Sequence, residues 1–125
     1  MCNVEVWPAA VADKEGEEPF AAPGDHSQGK LGGEGPVVRT VTLDRLCEPA
    51  LIKVDVEGAE YRVLLGAEKC LAMHGPIILV STHSILLHRA HVTLLTNSGY
   101  DVQRVGNDGL LARRRLQTAD GLGSL

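Results

Sequence analysis

The sequence predicts an α/β fold with a mostly parallel sheet and an antiparallel last strand. Two apolar runs, LIKVDV at 51–56 and PIILVSTH at 76–83, are typical of strands buried in a parallel sheet. The segment between them repeats its apolar residues at helical spacing, which predicts a strand–helix–strand unit. YDVQRV and LLARR flank the turn sequence GNDG and predict a hairpin that closes the sheet.

The first half of the chain predicts short strands joined by turns. NVEVW at 3–7 and VVRTV at 37–41 have strand composition, and EPFAA at 18–22 is expected to be a short partner strand. Asp13–Gly16 has the composition of a turn. TLDRL predicts the start of a short helix, with Thr42 as its N-cap.

Two longer helices are predicted in the second half. The first covers Ala59–Ala72, and the second begins after Ser84, whose side chain can cap it. Asn97–Gly99 has the composition of a left-handed helix end. The histidines outside the strand ends are expected on the surface or on a helix face: His26, His74, His88 and His91.

Length and composition predict one domain with a loop and a tail. A chain of 125 residues has room for one hydrophobic core, which we place in residues 1–116. Five glycines lie between Pro23 and Pro36, so residues 22–36 are expected to form a flexible loop. Residues 117–125 are expected to be a disordered tail.

Charge and cysteine usage narrow the function classes. A formal net charge of -4 argues against non-specific nucleic-acid binding. No apolar run approaches the roughly 18 residues of a membrane span. Cys2, Cys47 and Cys70 are odd in number and lack metal-ligand spacing, which favours a reduced setting. We therefore expect a cytoplasmic protein with no metal site, no membrane contact and no nucleic-acid partner.

Asp55 and His83 form the candidate site. Each follows a strand of the predicted parallel pair, so both should reach the carboxyl edge, where open α/β sheets bind ligands. Asp55 lies in a run that should be buried, and a buried carboxylate needs a partner or a task. A carboxylate beside an imidazole can accept a proton, orient a hydroxyl or ligate a metal. Taken singly, Asp55 could cap the following helix, and His83 could donate to a backbone carbonyl.

A phosphate-binding loop is the competing interpretation of GDHSQGK (Gly24–Lys30). These residues satisfy the first seven positions of that motif, but Leu31 stands where a serine or threonine is required. The following GGEGP cannot start a helix, so the helical amides that would hold a phosphate are not expected. A plain loop explains the segment better.

Four segments resemble the C-terminal half of the FkbM-type methyltransferase family. They are TVTLDRL, LIKVDVEGAEYRVLLGAEKCL, GPIILVSTH and LLTNSGYDVQRV, and the opening NVEVWPAAVADKEGE is similar to the strand and turn just before them. The resemblance covers roughly residues 3–112. It implies a Rossmann-like fold that uses S-adenosylmethionine to methylate a hydroxyl on a sugar or natural-product acceptor.

The resemblance also implies roles for individual residues. Asp55 would lie near the methyl donor and the acceptor, with Glu57 and His83 on the acceptor side. Ala9, Ala10 and Val11 would line the adenine pocket, mainly with backbone. Asp55 or His83 would take the acceptor proton or orient the hydroxyl.

Such folds hold their cofactor with a glycine-rich turn after the first strand and an acid after the second. Neither is found before Asn3, so we expect a truncated domain that lacks its N-terminal strands and binds S-adenosylmethionine weakly. The exposed flank of a shortened sheet would favour self-association. A non-catalytic α/β remnant that acts as an interaction module is the alternative function.

Overall fold

The computed structural model describes residues 3–21, 30–32, 34–46, 49–56, 58–82 and 84–116. The strands are β1 Ala10–Val11, β2 Gly16–Ala21, β3 Lys30–Leu31, β4 Val37–Val41, β5 Leu51–Val54, β6 Ile77–Ser81, β7 Tyr100–Val105 and β8 Gly109–Arg114. The helices are α1 Glu60–Leu65, α2 Glu68–Met73 and α3 Ile85–Asn97. Within these ranges the strands form two sheets, with orders β1-β4-β2-β3 and β5-β6-β8-β7. The mixed α/β class is as predicted.

The prediction of a mostly parallel sheet is wrong for the described residues. Two strand pairs are parallel, β1 with β4 and β5 with β6, whereas four pairs are antiparallel. A parallel pair needs a long crossover connection, and the short links around β2 and between β7 and β8 leave no room for one. The β5–β6 pair and the closing β7–β8 hairpin are confirmed.

Two predicted elements in the first half are wrong. Residues 3–7 form no strand among the described residues, and Val4 and Val6 are 70% and 82% exposed. TLDRL forms a turn closed by the Arg45 amide donating to the Thr42 carbonyl at 3.2 Å. Within the predicted loop, Lys30–Leu31 pair with β2. The rest of that loop at 22–29 and 33, and the predicted tail at 117–125, lie outside the described residues.

The first long helix is split into α1 and α2 at Gly66. A Cβ added to Gly66 would lie 2.3 Å from the Ala12 carbonyl oxygen, so only glycine allows this approach of two backbones. The Asp44 amide donates to the Gly66 carbonyl at 3.0 Å. The Asp44 carboxylate accepts from the amides of Lys69 and Cys70 at 3.2 and 2.8 Å, which starts α2 afresh.

An ion-pair cluster joins the first sheet to α1. The Arg62 guanidinium contacts Asp13, which follows β1, at 2.8 Å, and Glu18 of β2 at a shorter distance. Its Nη1 also donates to Glu18 Oε1 at 2.9 Å, so the second carboxylate is held by two nitrogens. These hydrogen bonds hold the pKa of both carboxyl groups below their usual range.

The core lies between the second sheet and the helices. Alternate residues of β5 and β6 are buried, as expected for strands with one covered face. The largest fully buried side chain is Tyr100, at the start of β7. Its hydroxyl donates to the Pro76 carbonyl at 2.7 Å, and burial raises its pKa to about 12. This bond ties β7 to the beginning of β6.

Replacing Tyr100 with phenylalanine is expected to lower the free energy of unfolding by about 1–2 kcal/mol. The Pro76 carbonyl would lose its donor in a fully buried position. Urea unfolding measures the change. Tyr61→Phe is the control, because Tyr61 is only half-buried on α1, and little effect is expected. Equal losses in the two variants would contradict the importance of this bond.

Candidate functional site

Strands β5 and β6 end at the same edge of the second sheet. They run parallel, with Val54 level with Val80. Asp55 directly follows β5, and Thr82 directly follows β6. The strand geometry on which the candidate site depends is therefore confirmed. Glu57 and His83 lie outside the described residues, so their catalytic roles stay predictions.

Asp55 is exposed, and the expectation that it is buried is wrong. Strand β5 ends at Val54, two residues before its predicted end. Asp55 therefore begins the turn towards α1 instead of continuing the covered strand. Solvent can therefore reach this residue. A group that must accept a proton from an incoming hydroxyl needs this access.

The carboxylate that is buried belongs to Glu60, the first residue of α1. It accepts hydrogen bonds from the amides of Val56 at 2.8 Å and Gly58 at 3.1 Å. Gly58 has a φ of 95°, a left-handed conformation that favours glycine, and it gives the turn its shape. Sequence reasoning explained Glu60 only as an acid at a helix start. Its additional role is to fix the turn that presents Asp55.

A cavity of about 330 Å³ lies at the end of β6. Its walls come from the end of β6, the first turns of α3 and the β7–β8 hairpin: Thr82, Ser84, Ile85, His88, Arg89, Arg104 and Asn107. Ser84 caps α3 as predicted, since its Oγ accepts from the Leu87 amide at 3.1 Å. The Thr82 amide donates to the Asp108 carbonyl at 2.7 Å, which holds the hairpin against the strand end. Sequence reasoning missed this cavity, because its walls come from segments far apart in the chain.

The remaining histidines occupy different environments. His74 is exposed, His88 is half-buried, and His26 lies outside the described residues. His91 lies on α3, as one of the two predicted positions allows, but it is fully buried. Its ring stacks on Tyr61 with centroids 6.1 Å apart, joining α3 to α1.

The residues predicted to line an adenine pocket lie in the first sheet. Ala10 and Val11 form β1, paired with Thr40 and Val41 of β4. Because β1 is at the end of its sheet among the described strands, one side of its backbone is not used by sheet pairing. Ala9 precedes it and is half-buried. Backbone contact with a ligand is compatible with this position.

Neither a metal cluster nor a membrane span is found in the part of the chain that the structure describes. No group of three or more histidine, cysteine, aspartate or glutamate residues there could hold a metal ion. None of its helices has the length and apolar character needed to cross a bilayer.

The sheet edge after β5 and β6 and the adjoining cavity belong to a mixed α/β domain. The family model of the methyltransferase FkbM domain matches residues 2–102. The chain therefore belongs to the FkbM methyltransferase family.

One solved structure supports the fold. The chain is similar to the methyltransferase FkbM from Methylobacillus flagellatus KT, with a TM-score of 0.51 and 21% sequence identity. The similarity covers 84% of this chain and 27% of that protein, so the chain spans about a quarter of its length. None of the curated proteins matches the sequence.

Proposed function

We propose that this chain supplies the acceptor side of an S-adenosylmethionine-dependent methyltransferase that methylates a hydroxyl on a sugar or natural-product scaffold. The observation that carries the proposal is the shared carboxyl edge of β5 and β6, with Asp55 after one strand and a cavity after the other. Membership of the FkbM family supports it.

Asp55 acts on the acceptor hydroxyl in this proposal. Its exposed carboxylate accepts a hydrogen bond from the hydroxyl, orients it and removes its proton as the oxygen is methylated. The hydrogen bonds from two backbone amides to Glu60 hold the turn in place. The Asp55 carboxylate therefore does not have to be ordered during the reaction. His83 and Glu57 are proposed to assist from the acceptor side.

Some of the described residues would hold part of S-adenosylmethionine, which supplies an electrophilic methyl group when bound. The open backbone side of β1, at Ala10 and Val11, would contact the adenine. Asp55 would lie at the reacting centre, close to both the methyl donor and the acceptor hydroxyl. No glycine-rich turn leads from a strand into a helix among the described residues, so we propose weak binding by this chain alone.

Calorimetric titration with S-adenosylhomocysteine tests the proposal. Saturable binding is expected, and Asp55→Asn should raise the dissociation constant about tenfold, because a charged hydrogen-bond acceptor is lost. Asp101→Asn, an exposed aspartate of β7, is the control and should bind normally. Binding of ATP instead would favour the loop at Gly24–Lys30. In a full-length family member, normal turnover after replacing the counterparts of both Asp55 and His83 would refute their roles.

A non-catalytic interaction module is the second candidate. Among the described strands, β5 is an edge strand of its sheet, and its first residue, Leu51, is 62% exposed. Edge strands of this kind can pair with another chain. Concentration-dependent dimerisation in sedimentation velocity, together with no binding of S-adenosylhomocysteine, would favour this function.

A further inference from the structure

The cavity at the end of β6 is cationic. Its lining includes two arginines, Arg89 and Arg104, and none of the described lining residues carries a carboxylate. The whole chain has 16 acidic residues against 12 lysines and arginines, so composition alone does not predict a positively charged cavity. Like charges gathered in one cavity repel each other unless an anion lies between them.

The two arginines keep donors for a ligand. The ion pairs among the described residues involve Arg45 and Arg62, and neither arginine of the cavity takes part in one. Arg104 Nη2 donates to the Asn107 carbonyl at 3.1 Å, which holds its guanidinium across the hairpin turn. A guanidinium has five N–H donors, so most of them remain for an oxyanion.

The start of α3 adds a second source of positive potential. This helix has 13 residues, and its first backbone amides have no acceptor inside the helix. Ser84 takes up the Leu87 amide, and Ile85, which lines the cavity, is the first residue of the helix. The helix dipole attracts negative charge to the same place.

We propose that this cavity binds an anionic group, a carboxylate or a phosphate, on the acceptor molecule. The inference rests on the proposed function and names its substrate class: a hydroxyl compound with an acidic group nearby. A volume of about 330 Å³ is near the lower end of small-ligand pockets and fits a single acidic sugar unit. With its acidic group held beside β6, the acceptor would lie along the edge that carries Asp55.

Titration of the whole chain with glucuronate, inorganic phosphate and neutral glucose tests the proposal by NMR. Glucuronate and phosphate should shift the backbone amides of Ser84 and Ile85, and glucose should not. Arg89→Gln should raise the dissociation constants of both anions roughly tenfold. Arg113→Gln, on β8 outside the cavity wall, is the matched control and should leave binding unchanged.

Three results would overturn the proposal. The first is no response to either anion, and the second is the same response to sodium chloride at equal ionic strength. The third is that Arg89→Gln weakens S-adenosylhomocysteine binding as much as it weakens anion binding. The cavity would then bind the carboxylate of the cofactor and not an acidic group of the acceptor. Because the anion titrations contain no cofactor, failure of cofactor binding alone would count against the methyltransferase proposal and leave the anion site standing.

Discussion

Replacing Glu60 with glutamine is expected to lower the free energy of unfolding by about 2–3 kcal/mol and to loosen the turn before α1. Glu60 Oε2 accepts from the Val56 amide and Oε1 accepts from the Gly58 amide. Glutamine offers one oxygen and one donor group, so one amide loses its acceptor and faces another N–H. Urea unfolding gives the loss of stability, and hydrogen exchange at the two amides locates it.

Glu68→Gln provides the matched control for this experiment. Glu68 is likewise the first residue of a helix, but it is exposed. Its replacement should change stability little, because it removes only an interaction with the helix dipole. A comparable loss in both variants, or unchanged exchange at Val56 and Gly58 in Glu60→Gln, would contradict the role given to the buried carboxylate.

Arg62→Met is the second variant with a large expected effect. At pH 7 it should lower the free energy of unfolding by about 2 kcal/mol, because two carboxylates lose a multidentate partner while the apolar stem is retained. The side chains of Arg62, Asp13 and Glu18 are 30%, 33% and 19% exposed, so water partly compensates the loss. Thermal or urea unfolding checks the value.

The same variant has a defined pH dependence. Arg62 lowers the pKa of Asp13 and Glu18 below the ordinary values of 3.8 and 4.5. The native ion pairs therefore contribute stability above those values and lose it as pH falls through the depressed pKa values. The difference between wild type and Arg62→Met should shrink steadily below about pH 5.

Arg45→Met tests whether replacing any ion-paired arginine would lower the free energy of unfolding by as much. Arg45 and Glu15 form an ion pair whose side chains are 54% and 40% exposed, and exposed pairs contribute little. Almost no effect is expected. If this variant matched Arg62→Met, or if the Arg62 effect persisted unchanged in acid, the ion-pair cluster would not be the cause.

Local patterns predicted the elements whose causes are local. The cap at Ser84 depends on one side chain, and Gly99, with a φ of 93°, ends α3 as its sequence indicates. The parallel pair β5–β6 and the hairpin β7–β8 follow from apolar runs and the length of the connections. The strands that carry the candidate site were therefore predictable from the sequence.

Tertiary contacts decided the elements that the sequence did not reveal. Helical periodicity continues through Gly66, and the break follows from contact with Ala12 and from capping by Asp44. Asp44 lies in the segment where a helix was predicted, and its carboxylate and its amide both bind the α1–α2 region instead. Alternating valines made residues 3–7 look like a strand, although they belong to none of the strands among the described residues.

The site was only partly predictable for the same reason. The position of Asp55 at a strand end could be read from the chain, but its exposure depends on β5 ending at Val54. Arg89 and Arg104 come together only because the β7–β8 hairpin folds back beside the start of α3. Fifteen positions separate them in sequence, and no motif connects them.

The junction at Gly66 has an evolutionary consequence. The missing side chain lets a helix end touch the chain after β1, and the Asp44 carboxylate restarts the next helix a few residues later. Each residue is useful only while the other keeps the two helices separate. Relatives that fuse α1 and α2 into one continuous helix should therefore lose this glycine and this aspartate together, as a covarying pair.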